Sequence, residues 1–97
     1  MAAYIIADIA EITDPAAFQS YAGKAGPSIP KYDGKPRVVR GTVEVLEGTW
    51  KPVNLVILEF PSAARAREWY ESSEYHPLVP ERHKASRGNN VVLIEGV

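Results

Sequence analysis

The feature that most constrains this chain is an uninterrupted apolar run at residues 55–58, of sequence LVIL, which Pro61 soon ends. Its shortness and its β-branched residues predict a strand rather than a helix. Because successive side chains of a strand point to opposite faces of a sheet, both faces of this strand must be shielded from water. Residues 91–94, of sequence VVLI, have the same property. A sheet built from such strands needs a cover on each face.

Three other parts of the sequence complete the predicted strands. Residues 4–9 predict a first strand whose faces carry Tyr4, Ile6 and Asp8 on one side and Ile5, Ala7 and Ile9 on the other. Residues 37–46 alternate and predict a largely solvated second strand. The apolar run lies in a third strand at 53–60, and the fourth strand is predicted at 91–97.

Helices are predicted in the two intervals between strands one and two and between strands three and four. The first begins at Pro15, with an apolar face that starts at Phe18 and ends near Ala25. Ser62 is a good N-cap for the second. Residues 74–83 predict a further helical segment that its prolines interrupt.

The resulting order is strand, helix, strand, strand, helix, strand. It predicts an α+β protein, a ferredoxin-like βαββαβ protomer whose antiparallel four-stranded sheet carries both helices on one face. The other face then needs a cover, and a second copy of the chain is the simplest one. We therefore expect a homodimer through the sheet faces, a dimeric α/β barrel. Trp50 is costly to leave in water, so we expect it to pack on the partner.

Length and charge narrow the possible partners. The 97 residues suit a single domain, 1–97. The net charge of −1 provides no basic surface, so no nucleic-acid partner is expected. No apolar run approaches the roughly 20 residues of a membrane helix, and no Cys is present for disulfides or thiolate chemistry. We therefore expect a cytoplasmic protein.

Six distinct short segments follow one another along nearly the whole chain and carry a family resemblance. They are AYIIADI at 3–9 with TDP at 13–15, VRG at 39–41, VLEGTW at 45–50, LEFPS at 58–62, WYESSEY at 69–75 and the 91–97 tail. Together they resemble the family called domain of unknown function 1330, in the dimeric α/β barrel superfamily. The turn DGKPR at 33–37 departs from the family's more usual glycine-rich turn. The resemblance implies a homodimeric βαββαβ fold and no particular reaction. The wider superfamily includes cofactor-free oxygenases, lactone isomerases and haem-degrading proteins.

Two acidic residues and an arginine are candidate polar groups of a cleft. Asp8 and Glu59 lie near the ends of predicted neighbouring strands, and Arg40 lies on the second strand. In a partly apolar cleft, either carboxyl could act as a catalytic base with a raised pKa, and Arg40 could bind an anion. The alternative is an ion pair that only satisfies buried charge.

Aromatic residues and histidines supply the remaining candidates. Tyr21, Tyr70 and Tyr75 would give a pocket apolar walls and polar tips, although aromatic residues more often fill a core. His76 could donate or accept a hydrogen bond. His76 and His83 lie seven residues apart across prolines, which does not suit a metal site. We expect neither a metal nor a cofactor.

Three functions stay open. The first is a homodimer of uncharacterised activity with a small-molecule pocket between sheet and helices. The second is a cofactor-independent oxygenase or isomerase that acts on a small organic acid or aromatic compound, with Glu59, Asp8 or His76 as catalytic candidates. The third is a non-catalytic binding or assembly domain.

Overall fold

The computed structural model describes residues 1–97 and has the predicted α+β, ferredoxin-like order of elements. The strands are β1 (Ala3–Ile12), β2 (Lys35–Val39), β3 (Asn54–Phe60) and β4 (Ser86–Glu95), and the helices are α1 (Pro15–Ser28), α2 (Ala63–Glu71) and α3 (Val79–Lys84). Single 3₁₀ turns lie at Pro30–Tyr32 and His76–Leu78. The four-stranded sheet has the order β2-β3-β1-β4, and all its strand pairs are antiparallel.

The start of each long helix follows the sequence prediction. Asp14 caps α1 by accepting a hydrogen bond of 3.1 Å from the amide of Ala17, and Ser62 caps α2 by accepting one of 3.1 Å from Arg65. Helix α1 continues beyond Ala25 to Ser28, so the predicted end was too early. Ser28 is buried and accepts a hydrogen bond of 2.9 Å from the indole of Trp69, and this tertiary contact holds the last turn.

The strand boundaries differ from the prediction where pairing decides them. Strand β2 ends at Val39 instead of 46, because Arg40 has a left-handed backbone (φ 53°) that turns the chain away from β3. Strand β4 begins at Ser86 instead of 91, because β1 is long enough to pair with it, from Ala3 opposite Glu95 to Ile12 opposite Ser86. The exposed alternation at 41–46 forms no strand.

All three helices pack on one face of the sheet. The main core joins Ile5, Leu58 and Phe60 from the strands to Trp69 and Tyr75 from the segment that follows β3. The opposite face of the sheet, which we call the open face, carries the other residues of each strand. On the outer strand β4, Val92 and Ile94 are 55% and 52% exposed on this face. No helix is long and apolar enough to cross a membrane.

Candidate functional site

A cavity of about 220 Å³ lies between the sheet and the helices. The sheet side of the cavity includes one row of paired residues that runs across all four strands: Val39, Val56, Ala7 and Val91. Fifteen of the 19 lining residues are hydrophobic, and none is Asp, Glu or His. The cavity therefore suits the apolar body of a small molecule and offers no carboxylate or imidazole as a base.

One end of the cavity is formed by Arg82 of α3, whose residue is only 3% exposed. Its Nη1 donates a hydrogen bond of 2.7 Å to the hydroxyl of Tyr75, and its Nε donates one of 3.0 Å to Oδ1 of Asn89. Its Nη2 lies 3.4 Å from Nε2 of His83. These neighbours position the guanidinium firmly at the cavity wall.

The guanidinium of Arg82 has no acidic partner. None of the ion pairs of the structure includes it, so no carboxylate lies within the 4.0 Å of a salt bridge. Burial opposes its charge, whereas the phenol oxygens of Tyr75 and Tyr21 favour it, and the pKa of Arg82 is raised overall. A buried charge is costly unless an opposite charge compensates it. The charge of Arg82 is thus buried without an opposite charge beside it.

Three tyrosines surround this cation: Tyr21, Tyr70 and Tyr75 line the cavity with it. Burial, followed by the proximity of Tyr21, raises the pKa of Tyr75 despite the opposing effect of Arg82, so its phenol stays neutral at physiological pH. The ring of Tyr75 stacks on Trp69 at a centroid distance of 3.9 Å. The packing fixes its hydroxyl against both Arg82 and Tyr21.

By geometry either hydroxyl of the Tyr21–Tyr75 pair could donate, and the donor chemistry of Arg82 favours one direction. Arg82 can only donate, so the Tyr75 oxygen accepts from it. The Tyr75 proton then needs an acceptor, and the Tyr21 oxygen lies 2.7 Å away. The reverse order would leave the proton of a buried hydroxyl unsatisfied, which is unfavourable. In this order the proton of the half-buried Tyr21 hydroxyl has no acceptor among the hydrogen bonds of the structure.

Arg40 also lines the cavity, and the neighbouring Val39 is 64% exposed. Its guanidinium is 5.7 Å from the centre of the Phe18 ring, which places it on the helix side of the sheet. Like Arg82, it has no carboxylate within salt-bridge distance. The cavity lining therefore contains a second arginine without an acidic partner.

The structure brings four of the predicted site residues to one cavity and separates the others from it. Arg40, Tyr21, Tyr70 and Tyr75 all line it. Asp8 and Glu59 do not, because Leu58 and Phe60 point into the core and the alternation of a strand turns Glu59 to the open face.

The expected grouping of Asp8, Glu59 and Arg40 was wrong. Glu59 is opposite Tyr4 in the pairing of β1 with β3, so Asp8 lies four residues, or about 13 Å, farther along β1. Because β1 and β3 are antiparallel neighbours, their C-terminal ends lie at opposite ends of the sheet and cannot meet. Glu59 pairs instead with Arg37 at 2.9 Å, and Asp8 accepts a hydrogen bond of 3.0 Å from Trp50.

His76 lies outside the cavity as well. Its Nδ1 is 3.0 Å from the carbonyl oxygen of Tyr70, and its side chain is exposed. No three His, Cys, Asp or Glu side chains are grouped in a way that could hold a metal ion.

Arg82 is the functional candidate that the sequence analysis missed. It lies in the run Glu81-Arg82-His83-Lys84, which resembles an ordinary solvated helix end. A signal was nevertheless present, because Tyr75, Leu78 and Arg82 occupy positions i, i+3 and i+7 and all three are buried. The buried face that contains Tyr75 and Leu78 continues by one helical turn to Arg82, so this spacing predicts a buried position for Arg82.

Fold and site together define a ferredoxin-like α+β protein with an apolar cavity that the buried guanidinium of Arg82 lines. The family model described as "Domain of unknown function (DUF1330)" matches residues 2–97, and the chain belongs to this family. None of the curated proteins matches it.

Several solved structures share the fold. A protein of unknown function from Rhodopseudomonas palustris is 19% identical, with a TM-score of 0.78 over 99% of this chain and 82% of that one. A dimeric ferredoxin-like protein of unknown function from Jannaschia sp. CCS1 is 13% identical, with a TM-score of 0.75 over 99% and 100%. An antibiotic biosynthesis monooxygenase is 16% identical, with a TM-score of 0.56 over 100% and 99%. At these identities the likeness concerns the fold.

Proposed function

We propose that this protein binds a small organic acid in the cavity between sheet and helices, with the acid group at Arg82 and Tyr21 and an apolar body along the sheet. The observation that carries the proposal is the buried guanidinium of Arg82, which has neutral partners only. An anion supplies the missing charge, and the Tyr21 proton supplies a directed hydrogen bond. The apolar lining selects against small inorganic ions.

Isothermal titration calorimetry with octanoate and with the neutral octanamide tests this proposal. The carboxylate gains a charge-assisted hydrogen bond, worth about 1.5–3 kcal/mol, that the amide does not. We therefore expect octanoate to bind about 10- to 100-fold more tightly than octanamide. Arg82→Met should remove this preference.

Arg87→Met is the matched control, because Arg87 is an exposed arginine of β4 that pairs with Glu11 at 3.2 Å. It should bind both compounds as the wild type does. Equal affinity of the wild type for octanoate and octanamide would contradict the assignment of Arg82 as an anion site.

A second candidate function is stabilisation of an enolate, as required in a cofactor-independent oxygenase or isomerase. It is supported by the same pair of groups, since a cation and a phenol proton stabilise any developing oxyanion, and by the fold likeness to a monooxygenase. The test is exchange of the α C–H protons of a simple aryl ketone in D2O, with solvent as the proton acceptor and the cavity stabilising the enolate, followed by NMR. Acceleration by the wild type but not by Arg82→Met would support enzyme chemistry, whereas no acceleration favours a binding domain.

We further propose that a second copy of the chain covers the open face. The support is its apolar surface, with Ile6 and Ile57 in the centre and the exposed Val92 and Ile94 beside them, together with a dimeric neighbour of the same fold. Multi-angle light scattering should give twice the mass of 10.7 kDa. A monomer at micromolar concentration would contradict this arrangement.

A further inference from the structure

We propose that Arg40 and Arg82 hold opposite ends of one elongated ligand, so that the preferred ligand class is an organic dianion with an apolar middle, such as an α,ω-dicarboxylate. This inference rests on the proposed function and adds to it a second charged contact, made by Arg40. The cavity lining contains two arginines and no acidic residue. Both cations therefore lack a protein counterion.

The backbones of the two arginines lie at opposite sides of the sheet, and the guanidinium of Arg40 reaches inward to Phe18, which packs with Ile9 of β1 and with Ala85. Val39, which precedes Arg40, pairs with Val56, and the row continues through Ala7 to Val91 on β4. Three steps between strands of about 4.8 Å make this row about 14 Å wide. Arg82 lies at the β4 side, where it is bonded to Asn89. Because the guanidinium of Arg40 reaches inward from β2, a ligand shorter than this row can contact both guanidiniums.

The backbone of Arg40 supports a role for its side chain. Arg40 and Asp33 are the only residues other than glycine with positive φ, and at Arg40 this conformation ends β2. A left-handed conformation is strained for a residue other than glycine, and such strain tends to occur at functional positions. Gly41 follows directly and could have taken this role in the turn. With this left-handed backbone, the guanidinium of Arg40 lies above the Phe18 ring on the helix side of the sheet.

The two ends differ in their surroundings, which predicts different roles. Arg82 is buried and held by Tyr75 and Asn89, so it fixes the first acid group. Arg40 is exposed, and its guanidinium takes part in none of the side-chain ion pairs, so it can adjust to the second acid group and to ligand length. Arg40 thus acts as the specificity-determining residue and Arg82 as the anchor.

The test compares two acids of equal length, octanoate and suberate, by calorimetry on the wild type, Arg40→Gln, Arg82→Met and Arg37→Gln. Arg37 is the matched control, because it is also an exposed arginine of β2 but pairs with Glu59 on the open face. Since exposed charge pairs are worth up to about 1 kcal/mol, we expect Arg40→Gln to weaken suberate binding about fivefold and octanoate binding less than about twofold. Arg37→Gln should leave both unchanged.

The outcomes separate this inference from the proposed function. If Arg82→Met weakens both acids but Arg40→Gln weakens neither, or both equally, the dianion inference is wrong and the acid-binding site stands. If the wild type binds neither acid, or if Arg82→Met binds both as the wild type does, both proposals are wrong. Selective loss of suberate binding in Arg40→Gln supports the inference.

Discussion

Arg82→Met should have little effect on the stability of the fold, although it replaces a buried, hydrogen-bonded side chain. The substitution removes the two hydrogen bonds from the guanidinium to Tyr75 and Asn89. Hydrogen bonds to a charged group contribute about 1.5–3 kcal/mol each, so the loss is about 3–6 kcal/mol. It also removes a buried charge without a counterion, whose desolvation costs several kcal/mol. The two effects nearly cancel, and we expect a net change within about 2 kcal/mol.

Urea unfolding followed by tryptophan fluorescence measures this change, because Trp69 stacks on Tyr75 in the core. Protein concentration must be held equal, since a dimer would make stability concentration-dependent. Leu58→Ala is the comparison: this side chain is 5% exposed in the core and its truncation should cost about 2–5 kcal/mol. If Arg82→Met destabilises as much as Leu58→Ala, Arg82 is a structural residue and the reasoning from its missing counterion is wrong.

Three further predictions test the helix cap, the tyrosine cluster and the open face. Ser62→Ala should lower the free energy of unfolding by about 1 kcal/mol, because Ser62 caps α2, whereas the exposed Ser73→Ala should not; urea unfolding distinguishes them. Burial raises the pKa of Tyr75 above the ordinary value of about 10, so the stability that it confers is present below that pH and is lost as the pH rises above it. A spectroscopic titration should show Tyr75 ionising last of the five tyrosines, and its ionisation near pH 10 in the folded protein would refute this. Ile57→Lys on the open face should shift the mass from dimer to monomer in light scattering, whereas Glu68→Lys on α2 should not.

The fold was predictable because its signals are local and periodic. The run at 55–58, the caps at Asp14 and Ser62 and the order of elements fix a ferredoxin-like topology. The extents of β2 and β4 were not predictable in the same way, because they depend on which residues find a partner across the sheet. The left-handed backbone of Arg40 ends β2 early, and nothing in the alternation at 37–46 signals it.

The aromatic lining of the cavity and Arg40 were predictable from the sequence, whereas the positions of Asp8, Glu59 and Arg82 were not. Tyr21, Tyr70 and Tyr75 line the cavity as expected. For the charged residues, a strand reverses its face at every residue, so an apolar neighbourhood on both sides of Glu59 indicates that Glu59 itself points away from the core. The opposite holds for Arg82: its neighbours in sequence are charged, which suggested an exposed position, but Arg82 itself lies on the buried face of its helix.

The most direct test of the central claim, that Arg82 is an anion site inside the cavity, is an NMR titration that observes the side-chain Nε–H of each arginine while octanoate is added. We expect the Arg82 signal to shift most and to saturate, together with backbone signals of Tyr21 and Tyr75, while the signals of the exposed Arg37 and Arg87 stay unchanged. Shifts confined to the open face around Ile57 and Val92, or equal shifts of all arginines, would contradict it.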